Sequence, residues 1–234
     1  MQRGLFVSAT DTGMGKTFIG CAIARSLLQA GQPVRVVKPA ESGCLTAANG
    51  ERLPADAQAL REAAGNRQPL AEVCPHRLEA ALAPPEAARR ENRNLPVSDL
   101  VDACQTVLAA GDYTLVEGAG GIYSPIADDA LNLHLAITLD LPILLVAADR
   151  LGTQSVTLTA AESILRHGAR LAGIVLNQRP EDRGGEDQPN NVEALRHWLP
   201  RLLGRDTPVI RAGHDGFEDS DIWDEQVEVL ASTR

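Results

Sequence analysis

The sequence SATDTGMGKT at positions 8–17 contains the residue types of a phosphate-binding loop. It ends in Gly15-Lys16-Thr17, follows an apolar run typical of a β-strand and opens an amphipathic helical pattern. In such a loop, free backbone N–H groups bind an anion, the lysine reaches the β- and γ-phosphates, and the threonine hydroxyl ligates Mg²⁺. The usual spacing places a glycine where Thr10 stands, so a plain strand-to-helix turn is the competing interpretation. The position between strand and helix favours the nucleotide site.

The chain contains only two lysines, Lys16 and Lys38, among its 22 basic residues. A coding bias toward arginine would leave lysine where a compact ammonium group is needed, because the two side chains are not interchangeable. Lys38 ends a second apolar run and is followed by Ser42 and Gly43. This placement predicts a second positive charge near phosphate or substrate, with an ordinary surface lysine as the alternative. The Ser-Gly pair either binds an anion or forms a turn.

Two acidic residues and one amide also lie where they could contact a nucleotide and its metal ion. Glu117 ends a third apolar run and precedes a Gly-Ala-Gly-Gly stretch at 118–121, which is typical of a Mg²⁺ ligand but also of a simple turn. Asp56 begins a helical stretch, either as a capping residue or as a metal ligand. Asn177 ends a later apolar run, where its amide either reads a base edge or caps the next segment.

These residues stand at the ends of elements that alternate along the chain. Strand-like runs occur at 4–10, 33–40, 113–121, 141–149, 171–178 and 207–213, and helical patterns run from Lys16 to Gly31 and at 98–110, about 131–139, 153–167 and 190–203. Most runs are continuously apolar, as in parallel strands covered on both faces. The sequence therefore predicts an α/β fold: a doubly wound, mainly parallel sheet with helices on both faces and ligands at the carboxyl ends of the strands.

The predicted domain organisation is a single domain over residues 1–234. Residues 40–97 form an elaborated crossover, which we expect on the substrate side. The polar, glycine-rich stretch 179–189 is predicted to form a mobile loop, and an acidic helix is predicted at about 218–231. Ser98 is a candidate N-cap for the helix at 98–110.

Composition restricts the class of partner. The net charge of −9, without basic clusters, argues against nucleic acid or an anionic membrane surface as a partner. The longest apolar stretch, 141–148, is too short to span a bilayer. The four cysteines are scattered and form no C-x-x-C pair, so neither a zinc site nor a disulfide framework is indicated, and a reducing cytoplasm is expected.

Taken together, these motifs resemble the dethiobiotin synthetase family, a member of the P-loop ATPase group. The matching stretches are ATDTGMGKT (9–17), KPAESG (38–43), Asp56, VEGAGG (116–121) and GIVLN (173–177), in the family's order and at similar separations. The family's loop has five residues between its glycines, which explains the unusual spacing and places the expected first glycine at Ala9.

The resemblance implies an ATP- and Mg²⁺-dependent cyclo-ligase of biotin biosynthesis that acts as a cytoplasmic homodimer. A 7,8-diaminononanoate amine takes up CO₂ as a carbamate, whose oxygen attacks the γ-phosphate to give a carbamic-phosphoric anhydride. The second amine then closes the cyclic urea and releases phosphate. Every species along this path is anionic, so fixed cations and a metal ion would stabilise it.

Roles are carried over residue by residue, as implications of the resemblance. Lys16 and Lys38 are catalytic. Thr12, Lys38 and Ser42 contact substrate, and Thr17, Asp56 and Glu117 hold Mg²⁺. The residues implied to bind the nucleotide are Gly13, Met14, Gly15, Lys16, Thr17, Phe18, Asp56, Glu117, Gly118, Ala119, Gly120 and Asn177.

The departures from the family pattern are uneven. In the phosphate half of the site (9–17, 38–43, 56 and 116–121), alanine replaces one glycine at position 9, and Gly13 replaces a residue with a side chain. The tail half (83–88 and 151–157) differs more. Pro85 stands where the family often has histidine, and TQSVTLT follows Leu-Gly at 151–152 where the family often has I-N-H. In the family that region, from the partner subunit, helps bind the diamine's carboxylate.

Three alternatives remain open from the sequence. A related P-loop amide ligase would need an ammonia source or a glutaminase domain, for which the chain is too short. A switch ATPase of the kind that places septa or partitions chromosomes carries a second lysine five residues before the loop lysine, where this chain has Asp11. A non-catalytic nucleotide-binding relative would fit the altered 151–157 region.

Overall fold

The computed structural model describes residues 3–179, 182 and 190–213. The strands are β1 (Gly4–Ala9), β2 (Val34–Val37), β3 (Ala40–Glu41), β4 (Leu45–Thr46), β5 (Arg52–Leu53), β6 (His76–Arg77), β7 (Tyr113–Glu117), β8 (Pro125–Ala127), β9 (Ala130–Leu131), β10 (Ile143–Ala148), β11 (Leu171–Gln178) and β12 (Val209–Gly213). The helices are α1 (Lys16–Gln29), α2 (Ala55–Ala63), α3 (Leu70–Val73), α4 (Pro84–Arg90), α5 (Val97–Leu108), α6 (Asn132–Thr138), α7 (Thr153–Arg166) and α8 (Asn191–Leu203).

Six of these strands form one parallel sheet in the order β12-β11-β10-β1-β7-β2. The first strand therefore lies inside the sheet, between β10 and β7. The remaining strands form small two-stranded pairs, β3 with β6, β4 with β5 and β8 with β9. Because all six strands of the main sheet run the same way, their carboxyl ends form one edge, where the sequence motifs meet.

The sheet separates two hydrophobic cores, and β1 contributes to both because successive side chains point to opposite faces. Leu5 and Val7 pack with α1 and α2 on one face, whereas Phe6 packs with α5, α6, α7 and α8 on the other. This arrangement confirms the predicted doubly wound α/β class with helices on both faces. Burial on both faces also explains why the strands read as unbroken apolar runs.

Several predicted boundaries were wrong. The third strand ends at Glu117 rather than at 121, because the glycine-rich residues after it turn back over the loop that follows β1. The predicted strand 33–40 is two strands, since the Lys38 N–H leaves the main sheet and bonds to the Val73 carbonyl. Ser98 does not cap α5: the helix already begins at Val97, with Pro96 in the capping position.

Ala9 is the last residue of β1 and pairs with Val146. Its backbone is therefore extended, and the Cβ that alanine adds at this position causes no strain. The replacement of the family's first glycine leaves the entry to the loop intact.

Between β2 and α5, the chain forms α2, α3, α4 and the small strands β3 to β6. The predicted helix at 218–231 lies outside the described residues, and of the predicted loop 179–189 only residues 179 and 182 are described. Within the described part of the chain, no helix is both long and apolar enough to cross a membrane.

Candidate active site

The loop between β1 and α1 has the backbone shape of an anion cradle. Gly13 and Gly15 have φ values of +76° and +89°, in the left-handed region that favours glycine. Gly15 caps α1, and Lys16 and Thr17 are its first two residues. The positive end of the helix and the N–H groups of its first turn therefore face the loop, which suits a phosphate group.

Asn177 fixes this loop from the neighbouring part of the sheet. Its Nδ2 atom donates a hydrogen bond of 2.9 Å to the Met14 carbonyl. A Cβ on Gly15 would lie 2.1 Å from the same Nδ2 atom, so no side chain fits between them. Asn177 lies within β11 rather than after it. The amide that the sequence linked to base reading therefore also holds the phosphate loop.

Lys38 joins two carboxylates at the carboxyl edge of the sheet. Its Nζ atom lies 2.5 Å from Glu117 Oε1 and 2.8 Å from Asp56 Oδ2. The Thr17 hydroxyl donates to the same Glu117 oxygen over 2.7 Å. Lys38 is 4% exposed and Glu117 is buried, whereas the Asp56 side chain is 48% exposed. The structure thus brings together four residues that lie far apart in the sequence.

The two lysines have opposite electrostatic environments. Burial would lower the pKa of Lys38, but the carboxylates of Glu117 and Asp56 outweigh it and raise that pKa above its usual range. Lys16 is also buried, and there burial lowers the pKa to about 8, although Glu117 opposes the shift. Lys38 is therefore a cation held by its neighbours. Among the described residues, no carboxylate lies within ion-pair distance of Lys16, which therefore gains most from an incoming anion.

Asp56 is held in its charged form. Burial would raise its pKa, but the ammonium of Lys38 outweighs burial and lowers it, with a further contribution from the Thr17 hydroxyl. At neutral pH the carboxylate is therefore ionised and half-exposed beside Thr17.

The Thr17 hydroxyl and the two carboxylates form a set of oxygen donors that suits Mg²⁺, a hard cation that prefers such ligands. Glu117 Oε2 supports this fit: it is buried, and among the described residues none donates a hydrogen bond to it. A buried carboxylate oxygen without a donor is costly unless a cation balances it. The residues present thus fit a magnesium ion.

The glycine-rich turn after Glu117 is organised by Asn132, which the sequence interpretation missed. The Asn132 amide accepts from Ala119 N–H and donates to the carbonyls of Ala119, Gly121 and Ser124. A Cβ on Gly118 would lie 2.3 Å from Asn132 Oδ1, which explains that glycine. Only an unusual polar residue at the start of α6 could have signalled this role in the sequence.

The same turn packs directly on the phosphate loop. The Ile122 N–H bonds to the Ala9 carbonyl over 2.8 Å, and a Cβ on Gly121 would lie 2.9 Å from the Thr10 carbonyl oxygen. A Cβ on Gly120 would lie 3.5 Å from the Thr12 hydroxyl. The two motifs therefore form one surface.

The remaining predicted site residues lie around this cluster. Thr12 is exposed on the phosphate loop, Phe18 is half-buried against the core on the α1 side, and Ser42 is half-buried in the segment between β3 and β4. Arg179, which the sequence interpretation did not single out, donates to the Gly13 carbonyl over 2.8 Å.

A glycine-containing loop before the first helix, with Glu117 at the end of the neighbouring strand β7 and Lys38 just after β2, defines a P-loop ATPase-type domain. The family model for an AAA domain matches residues 3–209. The cell division protein FtsY of Thermotoga maritima shares the fold, with a TM-score of 0.51 and 16% identity, covering 99% of this chain and 69% of that one.

Sequence relatives narrow the class. An ATP-dependent dethiobiotin synthetase of Anaeromyxobacter dehalogenans (strain 2CP-C) is 43% identical over 208 residues, covering 86% of this chain and 89% of the relative. Another, of Rhodopirellula baltica, is 38% identical over 204 residues, covering 82% and 79%. A third, of Caulobacter vibrioides (strain NA1000), is 40% identical over 179 residues, covering 76% and 80%. The chain belongs to the dethiobiotin synthetase family, which confirms the resemblance inferred from its motifs.

Proposed function

We propose that this chain catalyses the reaction for which its relatives are named, the ATP-dependent synthesis of dethiobiotin from 7,8-diaminononanoate and CO₂. The observation that carries the proposal is Lys38, clamped between Asp56 and Glu117 beside the phosphate loop. A permanent, buried cation at that position suits a reaction in which carbamate and phosphate charges must meet. A protein that only bound nucleotide would not need a second fixed cation at this position.

The nucleotide is bound by the phosphate half. The loop N–H groups at residues 13–17 and the Lys16 ammonium contact the phosphates, and Phe18 and the turn at 118–120 border them. Because Lys16 gains an anion on binding, the phosphate favours its charged form. Thr17, Asp56 and Glu117 hold Mg²⁺, which when bound neutralises phosphate charge and favours loss of the leaving group.

The diamine lies on the side of Lys38. Thr12 and Ser42 orient it, and one amine adds to CO₂ with loss of a proton to give the carbamate. Lys38 holds a carbamate oxygen in line with the γ-phosphate, so that an O–P bond forms as ADP leaves. Attack by the second amine on the carbamoyl carbon then closes the urea ring and expels phosphate. The chain's own contribution is position and fixed charge, and no covalent enzyme intermediate is involved.

Asn177 is proposed to read the base edge with the part of its amide that the loop does not use. One Nδ2 hydrogen is donated to the Met14 carbonyl, which leaves Oδ1 as an acceptor and the second Nδ2 hydrogen as a donor. An acceptor and a donor side by side match the exocyclic amine and a neighbouring ring nitrogen of adenine, the base that the relatives' dependence on ATP implies.

The tail half is proposed to be completed by a second copy of the chain in a cytoplasmic homodimer. Leu151 is 88% exposed and Val156 is 53% exposed, on the segment that the resemblance places at the partner's substrate. Apolar side chains there suit contact with the diamine's hydrocarbon chain and with the partner surface.

One assay tests the function. The purified chain is incubated with Mg-ATP, bicarbonate and 7,8-diaminononanoate, and mass spectrometry is used to search for the cyclic urea. We expect urea and ADP in equal amounts. ATP hydrolysis that does not depend on the diamine, or no turnover despite tight nucleotide binding, would reject the synthetase and favour a related P-loop ligase or a non-catalytic relative.

A further inference from the structure

The helix α2 begins without a cap of its own. Its capping position is occupied by Pro54, which has no side-chain acceptor, although the first N–H groups of any helix lack partners within it. The helix carries Asp56 in its first turn. Whatever satisfies those N–H groups therefore also fixes the backbone from which Asp56 projects.

Glu41, from a different segment, supplies the missing acceptors. Its Oε1 atom accepts from the Asp56 N–H over 3.0 Å and its Oε2 atom from the Ala57 N–H over 2.9 Å. Glu41 is 6% exposed. With both oxygens engaged and little freedom to move, the carboxylate holds the start of α2 at a fixed position, and its charge suits the positive end of the helix.

This contact closes a ring of interactions around the site. Glu41 lies three residues after Lys38 in the same segment, and the Asp56 carboxylate contacts Lys38. The ring thus runs along the backbone from Lys38 to Glu41, through the Glu41 carboxylate to the start of α2, and through the Asp56 side chain back to Lys38. A shift of α2 would move Asp56 away from Lys38, Thr17 and Glu117 together.

We propose that Glu41 is a positioning residue that holds Asp56 in the magnesium site and so sets how strongly Mg²⁺ enhances nucleotide binding. The inference rests on the proposed role of Asp56 as a magnesium ligand. Both Glu41 oxygens are engaged by backbone N–H groups, so Glu41 is not itself proposed as a ligand of the metal or the nucleotide. It also links the segment that carries Ser42, on the substrate side, to the helix that carries the metal ligand.

The chain contains a matched control for the cap. The helix α5 also follows a proline, Pro96, and a distant carboxylate, Asp129, accepts from the Val97 N–H over 2.8 Å. None of the proposed site residues lies on α5. Asp129→Ala therefore removes a helix cap of the same kind without touching the magnesium site.

The experiment compares Glu41→Ala, Glu41→Gln and Asp129→Ala by calorimetry, with a non-hydrolysable ATP analogue in Mg²⁺ and in EDTA. We expect Glu41→Ala to bind about tenfold more weakly in Mg²⁺ and unchanged in EDTA, since the phosphate loop is intact. Glu41→Gln keeps one acceptor oxygen, so its affinity in Mg²⁺ should lie between those of the parent and Glu41→Ala. Asp129→Ala should match the parent in both buffers, even if its unfolding temperature drops.

Equal weakening of Glu41→Ala with and without Mg²⁺, or a Mg²⁺-specific loss in Asp129→Ala, would overturn the inference. A Gln variant as impaired as the Ala variant would assign the effect to charge instead of position and would also overturn it. If Glu41→Ala does not fold, the Gln variant decides. Asp56→Asn separates the two proposals: if it keeps the full Mg²⁺ enhancement, the metal role of Asp56 fails, whereas if it loses the enhancement and Glu41→Ala does not, only the role of Glu41 fails.

Discussion

The phosphate half and the tail half of the candidate site are built by different means. In the phosphate half, Lys38 follows β2 and Glu117 ends the neighbouring strand β7. Lys16 and Thr17 begin the helix after β1. Lys38 and Glu117 are buried and form an ion pair, the Thr17 hydroxyl donates to Glu117, and Lys16 is buried close by. Removing either Lys38 or Glu117 would leave a buried charge without its partner.

In the tail half, the side-chain contacts join neutral groups, Gln154 with Asn191 and Thr153 with Thr157, or exposed charges such as that of Glu86. Pro85 lies in the first turn of α4 and packs as a buried apolar residue, whereas Leu151 and Val156 are exposed on the loop and first turn before the body of α7. Nothing in these contacts requires one particular side chain. The comparison indicates that sequence departures collect where function is added at a surface and are rare where charges are interlocked in a sheet edge.

Lys38→Arg tests this interlocking most severely. The larger, planar guanidinium does not fit the buried position between Asp56 and Glu117, so we expect turnover to fall about a thousandfold while Mg-ATP binding persists. Steady-state kinetics and calorimetry measure the two effects. Arg35→Lys is the control, because Arg35 lies on β2, just before Lys38, but pairs with the half-buried Asp112. Normal turnover in Lys38→Arg would refute the role of the clamp.

A smaller effect is expected from the titration of Lys16. Its pKa is lowered to about 8, and a bound phosphate would raise it again. Nucleotide affinity should therefore fall about tenfold between pH 7.5 and pH 9, with proton uptake on binding, because one protonated group is lost over that interval. Calorimetry at pH 8.5 in two buffers of different ionisation enthalpy measures the uptake, which Lys16→Met should abolish.

The same shift affects the nucleotide-free protein with a definite sign. Below about pH 8, Lys16 is charged in both folded and unfolded states, and stability does not change on its account. Between about 8 and its ordinary value of 10.5, the folded state loses the proton first, so this group increases stability as the pH rises. As the pH rises from about 8 to 10.5, we therefore expect nucleotide affinity to fall while the contribution of Lys16 to the free energy of unfolding increases. Denaturant titrations of the nucleotide-free protein across this pH range check the second part.

The smallest effect is expected in the tail half. Val156→Asp should raise the KM of the diamine about threefold and weaken self-association, with kcat and nucleotide affinity unchanged, because a rim charge disturbs a surface contact only modestly. Thr106→Asp adds the same charge to exposed α5 as a control. Kinetics and sedimentation provide the measurements. If neither the KM nor the self-association changed, the diamine's tail would bind at another surface, and the proposed contribution of the partner subunit would be rejected.

The sequence was most informative where a motif coincides with a strand end. Lys38 and Glu117 could be predicted to meet because the carboxyl ends of parallel strands share one edge. Asp56 lies on α2, and only the resemblance assigned it to the same site. Boundaries were less predictable: the predicted strand at 113–121 is too long, because it runs through the glycine-rich stretch 118–121, where the chain turns directly after Glu117. Ser98 was predicted as an N-cap because its side chain can accept a hydrogen bond, whereas the distant Asp129 provides that acceptor for α5.

The supporting residues could not be found in this way. Glu41 bonds to the backbone 15–16 residues away, and Asn132 bonds to the backbone 8–13 residues away. Because every residue type offers the same backbone groups, these contacts leave no pattern of partner residues in the sequence. Their burial, which the sequence of one chain does not display, is what distinguishes them from ordinary polar residues. The ligands of the site are therefore more visible in the sequence than the residues that hold them in place.

The contact between Asn177 and Gly15 limits how the nucleotide preference of this chain could be redesigned. The Asn177 amide, which is proposed to read the base, donates to the Met14 carbonyl and leaves no room for a side chain at position 15. Any replacement chosen to accept guanine at Asn177 would also remove a support of the loop that grips the phosphates. A successful GTP-dependent variant would need a compensating donor to Met14, so nucleotide selectivity here is an engineering problem of two sites and not of one.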